Sequence, residues 1–355
     1  MTMKRIAVLT SGGDAPGMNP AIRAVARMGI SLGMQVFGVA EGYQGLLDGK
    51  FRALNLRDVG GIIGRGGTIL QSARCEEFKT DDGRDRAAKN LRAQKIDGLI
   101  TIGGNGTHKG AYAFTARTGF PVVTIASTID NDVCYTDVTI GVDTALNTAL
   151  DAIDKIRDTA SSHRRAFMIE TMGRNSGYLA LMSGIAGGAE IILIPEAPLP
   201  PAEVKEAIDA AYARGKNHCL VICAEGYRPG IQAVHDYLKP REKEMGFTVR
   251  MTILGHIQRG GAPTAFDRVL ATRLGVAAAQ QCAEGNFGVM CGLAGNKVQT
   301  TDLARVVACR KTIDLRFYEM FKKIELASPD LARTLAADSP MRSSPVEESE
   351  MNPTP

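Results

Sequence analysis

The sequence predicts an α/β fold, a doubly wound parallel sheet covered by helices, in a chain long enough for two domains. Three observations predict it. Short apolar runs recur along the chain, and each leads through a polar or glycine-rich loop into a helical pattern. Those runs are apolar on both faces, as strands buried in a parallel sheet must be. Composition is that of a folded globular protein: 355 residues, 45% hydrophobic and 23% charged.

The elements follow in order. Ile6-Ala7-Val8-Leu9 runs into Ser11-Gly12-Gly13-Asp14-Ala15-Pro16-Gly17, and Leu99-Ile100-Thr101-Ile102 into Gly103-Gly104-Asn105-Gly106-Thr107. Val122-Val123-Thr124-Ile125-Ala126 precedes Thr128-Ile129-Asp130-Asn131-Asp132. Ala166-Phe167-Met168-Ile169 leads to Glu170-Thr171-Met172-Gly173-Arg174, and Leu220-Val221-Ile222-Cys223 to Ala224-Glu225-Gly226. Strand ends of such sheets form one edge, where ligands bind.

Charge and cysteine usage narrow the class. The net charge of +4 is mild and the basic residues are dispersed, which gives no support for nucleic-acid or membrane partners. There is no unbroken apolar run of membrane-spanning length and no signal-peptide layout at Met1-Thr2-Met3-Lys4-Arg5, so a cytoplasmic location is expected. Seven scattered cysteines without Cys-x-x-Cys spacing read as reduced thiols. From about Ser339 the Pro/Ser/Glu-rich tail lacks the apolar surface to offset its ordering entropy.

The chemistry concentrates at the loops. Asp130 and Asp132, one residue apart after a buried strand, suit a base beside a group that holds a cation or donor; Asp and Asn also suit a plain turn. The glycine loops at Gly12-Gly13 and Gly103-Gly104-Asn105-Gly106-Thr107 are either phosphate cradles or tight βα turns. Neither is a P-loop, because Met18 and Asn19 stand where Lys and Ser/Thr would follow Gly17. Arg165, Arg174, Arg250, His256 and Arg259 sit in or beside turns at strand ends in this reading, and arginine holds phosphate bidentately. A phosphorylated substrate is expected.

Five segments carry a family resemblance: Ser11–Asn19, Thr128–Asp132, Met172–Tyr178, Ile194–Ala197 and Leu254–Gly261. In order and spacing they resemble the 6-phosphofructokinases, over roughly residues 4–325. The resemblance implies a two-domain phosphofructokinase-like fold, with 1–140 plus 252–305 on the donor side and 141–251 plus 306–330 on the sugar-phosphate side. Residues 331–355 are then a disordered tail. It also implies a cytoplasmic homotetramer that uses ATP and Mg2+ to convert fructose 6-phosphate to fructose 1,6-bisphosphate in glycolysis.

By the same resemblance Asp130 is the base for the sugar C1 hydroxyl, Thr128 and Asp132 position substrate and metal, and Arg174 faces the transferring phosphoryl group. Met172, Gly173, Glu225, His256 and Arg259 grip the sugar phosphate, with Arg165 and Arg250 reaching in from a neighbouring subunit. Gly12, Arg74, Cys75, Gly104, Asn105, Gly106 and Thr107 match the nucleotide side. Asn105 and Asp132 are the metal-side pair, and Asn105 replaces the family's usual Asp. Pyrophosphate users resemble this chain with Asp at position 106 and Lys at 127; Gly106 and Ser127 favour ATP. Arg23, Arg27, Arg157, Glu190, Arg214 and Lys216 match an allosteric site for a phosphate-bearing effector, a set that Leu56 interrupts. The alternatives are a pyrophosphate-dependent or other ketose-phosphate kinase, and a catalytically weakened regulatory subunit that binds sugar phosphate.

Overall fold

Each of the five apolar runs is a strand, lengthened by a residue or two at one or both ends except in the third. The computed structural model describes residues 4–162 and 165–325. Among them the strands are β1 (Arg5–Thr10), β2 (Gln35–Val39), β3 (Phe51–Leu54), β4 (Gly98–Gly103), β5 (Val122–Ala126), β6 (Arg165–Thr171), β7 (Ile191–Leu193), β8 (His218–Ala224), β9 (Thr248–Ile253), β10 (Val289–Ala294) and β11 (Lys297–Asp302). They form a seven-stranded sheet, β11-β10-β5-β4-β1-β2-β3, and a four-stranded sheet, β7-β8-β6-β9.

The small sheet is parallel throughout, whereas the large one is parallel from β10 to β2 and ends in antiparallel strands on both sides. Those edge strands explain what the apolar runs do not report. Lys297-Val298-Gln299-Thr300-Thr301-Asp302 is mostly polar because an edge strand needs no second buried face. In the large sheet the chain turns back after β3 and resumes at β4, beside β1. The loops that follow β1 and β4 therefore meet at the topological switch point, the place where open α/β sheets hold ligands.

Helices cover both faces of the large sheet. Helix Met18–Ser31 packs along helix Ala265–Glu284, while helices Asp81–Ala93 and Asn105–Thr118 take the other side with the core of Leu9, Leu91, Leu99, Phe114 and Val122. Helix Val142–Ser161 packs instead against β6 and β8 of the small sheet. No helix among the described residues is long and apolar enough to cross a membrane.

Residues through Ile313 form one compact unit that holds both sheets. The chain from Asp314 is a second unit, which contains helix Leu315–Glu325. The expected tail, 331–355, lies outside the described residues.

The reading of reduced thiols needs correction. Cys134 and Cys309, 175 residues apart, are joined in a disulfide, while Cys75, Cys223, Cys282 and Cys291 are free. No local spacing announces the pair, because the fold alone brings the loop after β5 to the segment following helix Leu303–Ala308.

One buried carboxylate fastens the helix layers of the two sheets together. Helix Val142–Ser161 begins at Gly141, which offers no side-chain cap. Asp267 of helix Ala265–Glu284 supplies one from outside: it accepts from Gly141 N at 2.8 Å, Thr144 N at 2.8 Å and Thr144 Oγ1 at 2.6 Å. Removing it strands three buried donors. Asp267→Ala is therefore expected to lower stability by about 3 kcal/mol, read as a fall in the urea midpoint; an unchanged midpoint would refute the tie.

Candidate active site

Both sheets turn their carboxyl edges toward one cleft of about 950 Å3. The loops after β1, β4 and β5 run side by side along it, joined by Ser11 N donating to Ile102 O (3.0 Å), Thr107 Oγ1 to Ser11 O (3.0 Å) and Ser127 N to Gly103 O (2.9 Å). This pairing is so close that a Cβ at Gly103 would lie 2.2 Å from Thr107 Oγ1 and 2.4 Å from Ser11 O. Glycine is required there sterically.

Gly12, Arg74, Cys75, Gly104, Asn105, Gly106 and Thr107 all line the cleft, so the structure brings the expected nucleotide side together. Helix Asn105–Thr118 points its N-terminal turn into it, which favours anionic groups. A Cβ at Gly106 would meet nothing within 4 Å, leaving open room at that turn. Among the lining residues that escaped the sequence reading are Lys109, Lys79 and Tyr43. Lys109 was detectable, two residues past Thr107 on the same helical turn. Tyr43 was not, since its role depends on stacking with Phe78 (ring centroids 4.0 Å apart) and on its Oη donating to Thr107 O at 2.7 Å.

Asp130 is the most perturbed acid of the cleft. It is 4% exposed, and its Oδ1 has no hydrogen-bond partner, while its backbone N–H donates to Thr128 Oγ1 at 3.2 Å. Burial, then the charge of Asp132, push its carboxyl up to about 6, against the pull of Arg259 and Arg174. Arg174 approaches from the small sheet, its Nε 3.6 Å from Asp130 Oδ2 and its side chain 67% exposed. Asp132 is half-buried, and Asn105 Nδ2 donates to its backbone carbonyl at 3.1 Å.

From the small sheet Met172, Glu225, His256 and Arg259 line the cleft. Glu225 Oε1 accepts from Gly173 N at 3.2 Å and Arg174 N at 2.6 Å, fixing the turn after β6. A Cβ at Gly226 would sit 1.9 Å from Arg174 O, so the β6 and β8 loops touch through glycine. Arg259 Nη1 donates to Asp14 O at 3.1 Å, reaching across to the loop after β1.

Two of the expected arginines lie elsewhere. Arg165 begins β6 and Arg250 is the third residue of β9, opposite Phe167, so the placement of Arg250 at a strand end does not hold. Neither lines the cleft.

The effector residues lie on several elements, and none of them lines the cleft. Lys216 Nζ pairs with buried Glu190 at 2.9 Å, and Glu190 also accepts from Leu220 N at 2.6 Å. Arg157 pairs with Asp154 at 3.4 Å and lies near Gly188, while Arg214 is exposed past helix Pro201–Ala213. Arg23 and Arg27, on helix Met18–Ser31, make no hydrogen bond or ion pair among the described residues.

The arrangement suits charge-neutralised phosphoryl transfer, with anion-binding backbone on one side, cations on the other and a near-neutral acid between. Comparison with known proteins agrees. The family model described as Phosphofructokinase matches residues 5–282. The chain is 50% identical over 318 residues to the ATP-dependent 6-phosphofructokinase of Thermotoga neapolitana, spanning 90% of this chain and 98% of that protein. It is 52% identical over 312 residues to ATP-dependent 6-phosphofructokinase 1 of Thermus thermophilus, spanning 88% and 96%. A solved phosphofructokinase from Saccharomyces cerevisiae superposes with a TM-score of 0.81 at 37% identity; the match covers 90% of this chain and half of that one. A pyrophosphate-dependent phosphofructokinase from Marinobacter aquaeolei, 21% identical with a TM-score of 0.76 and spanning 88% and 86%, shares the fold.

The raised Asp130 carboxyl carries a stability consequence. Its folded-state value, about 6, exceeds the ordinary carboxylate value of 3.8, so folding favours the protonated form. The stabilisation is complete below the unfolded value and is lost as pH rises through about 6. Asp130→Asn should therefore raise stability at pH 7.5 by about 2–3 kcal/mol, a gain that shrinks through pH 6 and vanishes below pH 4. Urea midpoints across that range measure it; a gain independent of pH would contradict the assignment.

Proposed function

The chain belongs to the phosphofructokinase family, and we propose on that premise that it transfers a phosphoryl group from ATP to the C1 hydroxyl of fructose 6-phosphate. The observation that carries the reading is Asp130, a buried acid with an unpartnered oxygen, set between the helix N-terminus of Asn105 and the guanidinium of Arg174. At neutral pH a carboxyl near 6 is ionised yet basic enough to take the sugar's proton as the bond to phosphorus forms. Thr128, whose hydroxyl accepts from Asp130 N, holds the acid's backbone.

Arg174 is attached to a fixed backbone but has a mobile-length, exposed side chain, which suits a cation that follows the transferring group. Met172, Glu225, His256 and Arg259 are assigned to the sugar phosphate, and the large-sheet loops to the nucleotide. The donor and sugar sides are thus proposed as two domains built on the two sheets. Arg165 and Arg250, outside the cleft, are assigned to a neighbour's site in a homotetramer, and the Arg157, Arg214, Lys216 and Glu190 region, with Arg23 and Arg27, to a phosphate-bearing effector. A cytoplasmic location is proposed with them.

Mg2+ fits the donor set. Asp132 lines the cleft beside Asn105, whose Nδ2 donates to the Asp132 carbonyl, so a carboxylate and an amide oxygen stand together next to the glycine loop, a donor set that suits a cation held mainly by phosphates and one carboxylate. Asp132 and the side-chain oxygen of Asn105 would hold it, and its charge would offset that of the donor phosphates. The donor is proposed as ATP, because Gly106 leaves open room and Ser127 is buried, its Oγ 3.5 Å from Ile140 O.

A coupled assay crossing ATP and pyrophosphate with fructose 6-phosphate under Mg2+ tests this reading directly. ATP should support turnover and pyrophosphate should not. In the same assay Asp130→Asn is expected to lose about 10²–10⁴-fold in kcat with little change in KM for the sugar. Wild-type kcat/KM should fall about tenfold per pH unit below about 6. A variant keeping more than about a tenth of wild-type kcat would exclude Asp130 as the base.

Asn105→Asp is expected to lower the Mg2+ concentration for half-maximal activity, since an anionic oxygen binds a hard cation better than an amide. The metal titration decides it. An unchanged curve would remove Asn105 from the metal side.

A further inference from the structure

The loop that carries the two cleft acids is held in a conformation its residues do not favour. Tyr135 (φ 59°) adopts left-handed backbone, which costs a bulky residue on the order of 1 kcal/mol, while Asn131 (φ 49°) takes the same conformation at little cost. From Thr136 onward the loop is bound firmly into the large sheet. Asp137 N donates to Leu293 O at 2.7 Å, Leu293 N to Thr136 Oγ1 at 3.0 Å, and Gly295 N to Asp137 Oδ2 at 2.7 Å.

Nearer the acids the loop is tied partly to itself, Thr139 Oγ1 donating to Thr128 O at 2.6 Å and Thr139 N to Asn131 Oδ1 at 3.2 Å, and partly to other elements. Asp132 O accepts from Asn105, Tyr135 O accepts from Gln299 Nε2 at 3.3 Å, and the Arg305 guanidinium lies 5.0 Å from the Tyr135 ring centre. Between them the covalent tie is the Cys134–Cys309 disulfide. Two residues further, Lys311 Nζ donates to Asn131 Oδ1 (3.2 Å), Thr136 O (2.8 Å) and Asp137 O (3.0 Å). Cys309 to Lys311 is thus a strap across the loop, bonded at Cys134 and hydrogen-bonded at Asn131, the residue between the two acids.

The two sulfurs differ in access. Cys134 is buried, whereas Cys309 lies on an exposed stretch past the helix end. The other five cysteines form no disulfide, so this is no general disulfide framework; an isolated pair with one accessible side is the kind that exchanges with thiols.

We propose that Cys134–Cys309 is a thiol-exchange site whose reduction slackens the catalytic loop and lowers the rate of phosphoryl transfer. The co-reactant is a dithiol. Its thiolate attacks Cys309 Sγ, giving a mixed disulfide and releasing the Cys134 thiolate, which takes up a proton. The dithiol's second thiolate then displaces Cys309, which also leaves protonated. Two electrons and two protons pass to the protein, and the dithiol departs as its disulfide. Lys311 keeps the loop in place, so the change falls on catalytic alignment rather than on substrate affinity. The inference rests on Asp130 acting as the base.

The test uses the full-length protein prepared without reductant, with dithiothreitol as the probe and thiol state read by alkylation and mass spectrometry. Reduction should open Cys134 and Cys309 to alkylation, lower kcat about tenfold, and leave KM for fructose 6-phosphate within about twofold. Backbone amides 132–135 should exchange hydrogen faster, and reoxidation should restore both readings. Cys309→Ser should start at the lower kcat and ignore dithiothreitol. Verified reduction with unchanged exchange in 132–135 overturns the strap, as does a Cys309→Ser protein that responds like wild type. Because exchange needs no turnover, an oxidised protein without kinase activity counts against the kinase reading while the exchange still decides the strap.

Discussion

Asp267 is the constraint on which the cleft depends. A helix N-terminus leaves backbone donors without partners, and local sequence normally supplies a cap. Here Gly141 cannot, and the cap comes from a carboxylate 126 residues away on a helix that packs against the other sheet. The charge also meets the positive end of the helix dipole. Thr264, which begins the helix carrying Asp267, adds two more bonds to the same turn, through its N–H to Thr144 Oγ1 and its hydroxyl to Asp143. The segment from Ser127 to Gly141 is therefore pinned at both ends, at Ser127 to Gly103 and at Gly141 to Asp267. Asp130 and Asp132 ride on that segment. Their place relative to the glycine loops of the large sheet, and to the turns of the small one, follows from where Asp267 holds the helix.

With the segment fixed, the electrostatics of Asp130 follow. An acid left 4% exposed beside a second acid is an unfavourable arrangement for folding, and one of its oxygens lacks even a hydrogen bond. Such a group persists because the surrounding structure over-determines it. The same environment that costs stability raises its basicity, and the guanidiniums of Arg174 and Arg259 limit the rise. Folding and reactivity draw on this side chain in opposite directions, and the two-ended anchoring of its loop is what lets reactivity prevail.

The sequence made some of this legible and not the rest, for physical reasons. Strands buried on both faces leave apolar runs, so β1, β4, β5, β6 and β8 could be read with the loops that follow them. β3 and β11 are edges and β7 has three residues, too short for a pattern. The acids, Arg174 and the glycine loops were legible because each sits directly after such a run. Residues whose role is created by a distant partner were not: Asp267 on a helix, Tyr43 stacked on Phe78, and Cys134 bonded to Cys309. Arg165 and Arg250 were legible as cations, but one chain does not bring them to the cleft.

Asn105 shows how such a distant partner changes the meaning of a substitution. Judged by metal affinity alone, an amide in place of a carboxylate is a loss of charge. In the structure its Nδ2 donates to the Asp132 backbone carbonyl, a bond that a carboxylate cannot make. An acid there would set a second negative group beside Asp132 and leave that carbonyl without its donor. The amide thus fastens the first turn of helix Asn105–Thr118 to the loop of the acids. That fastening falls in the stretch where the loop has the fewest ties to the sheet. An amide is the side chain that can present an oxygen to a cation and a donor to the backbone at once, and at this position the backbone acceptor is the Asp132 carbonyl.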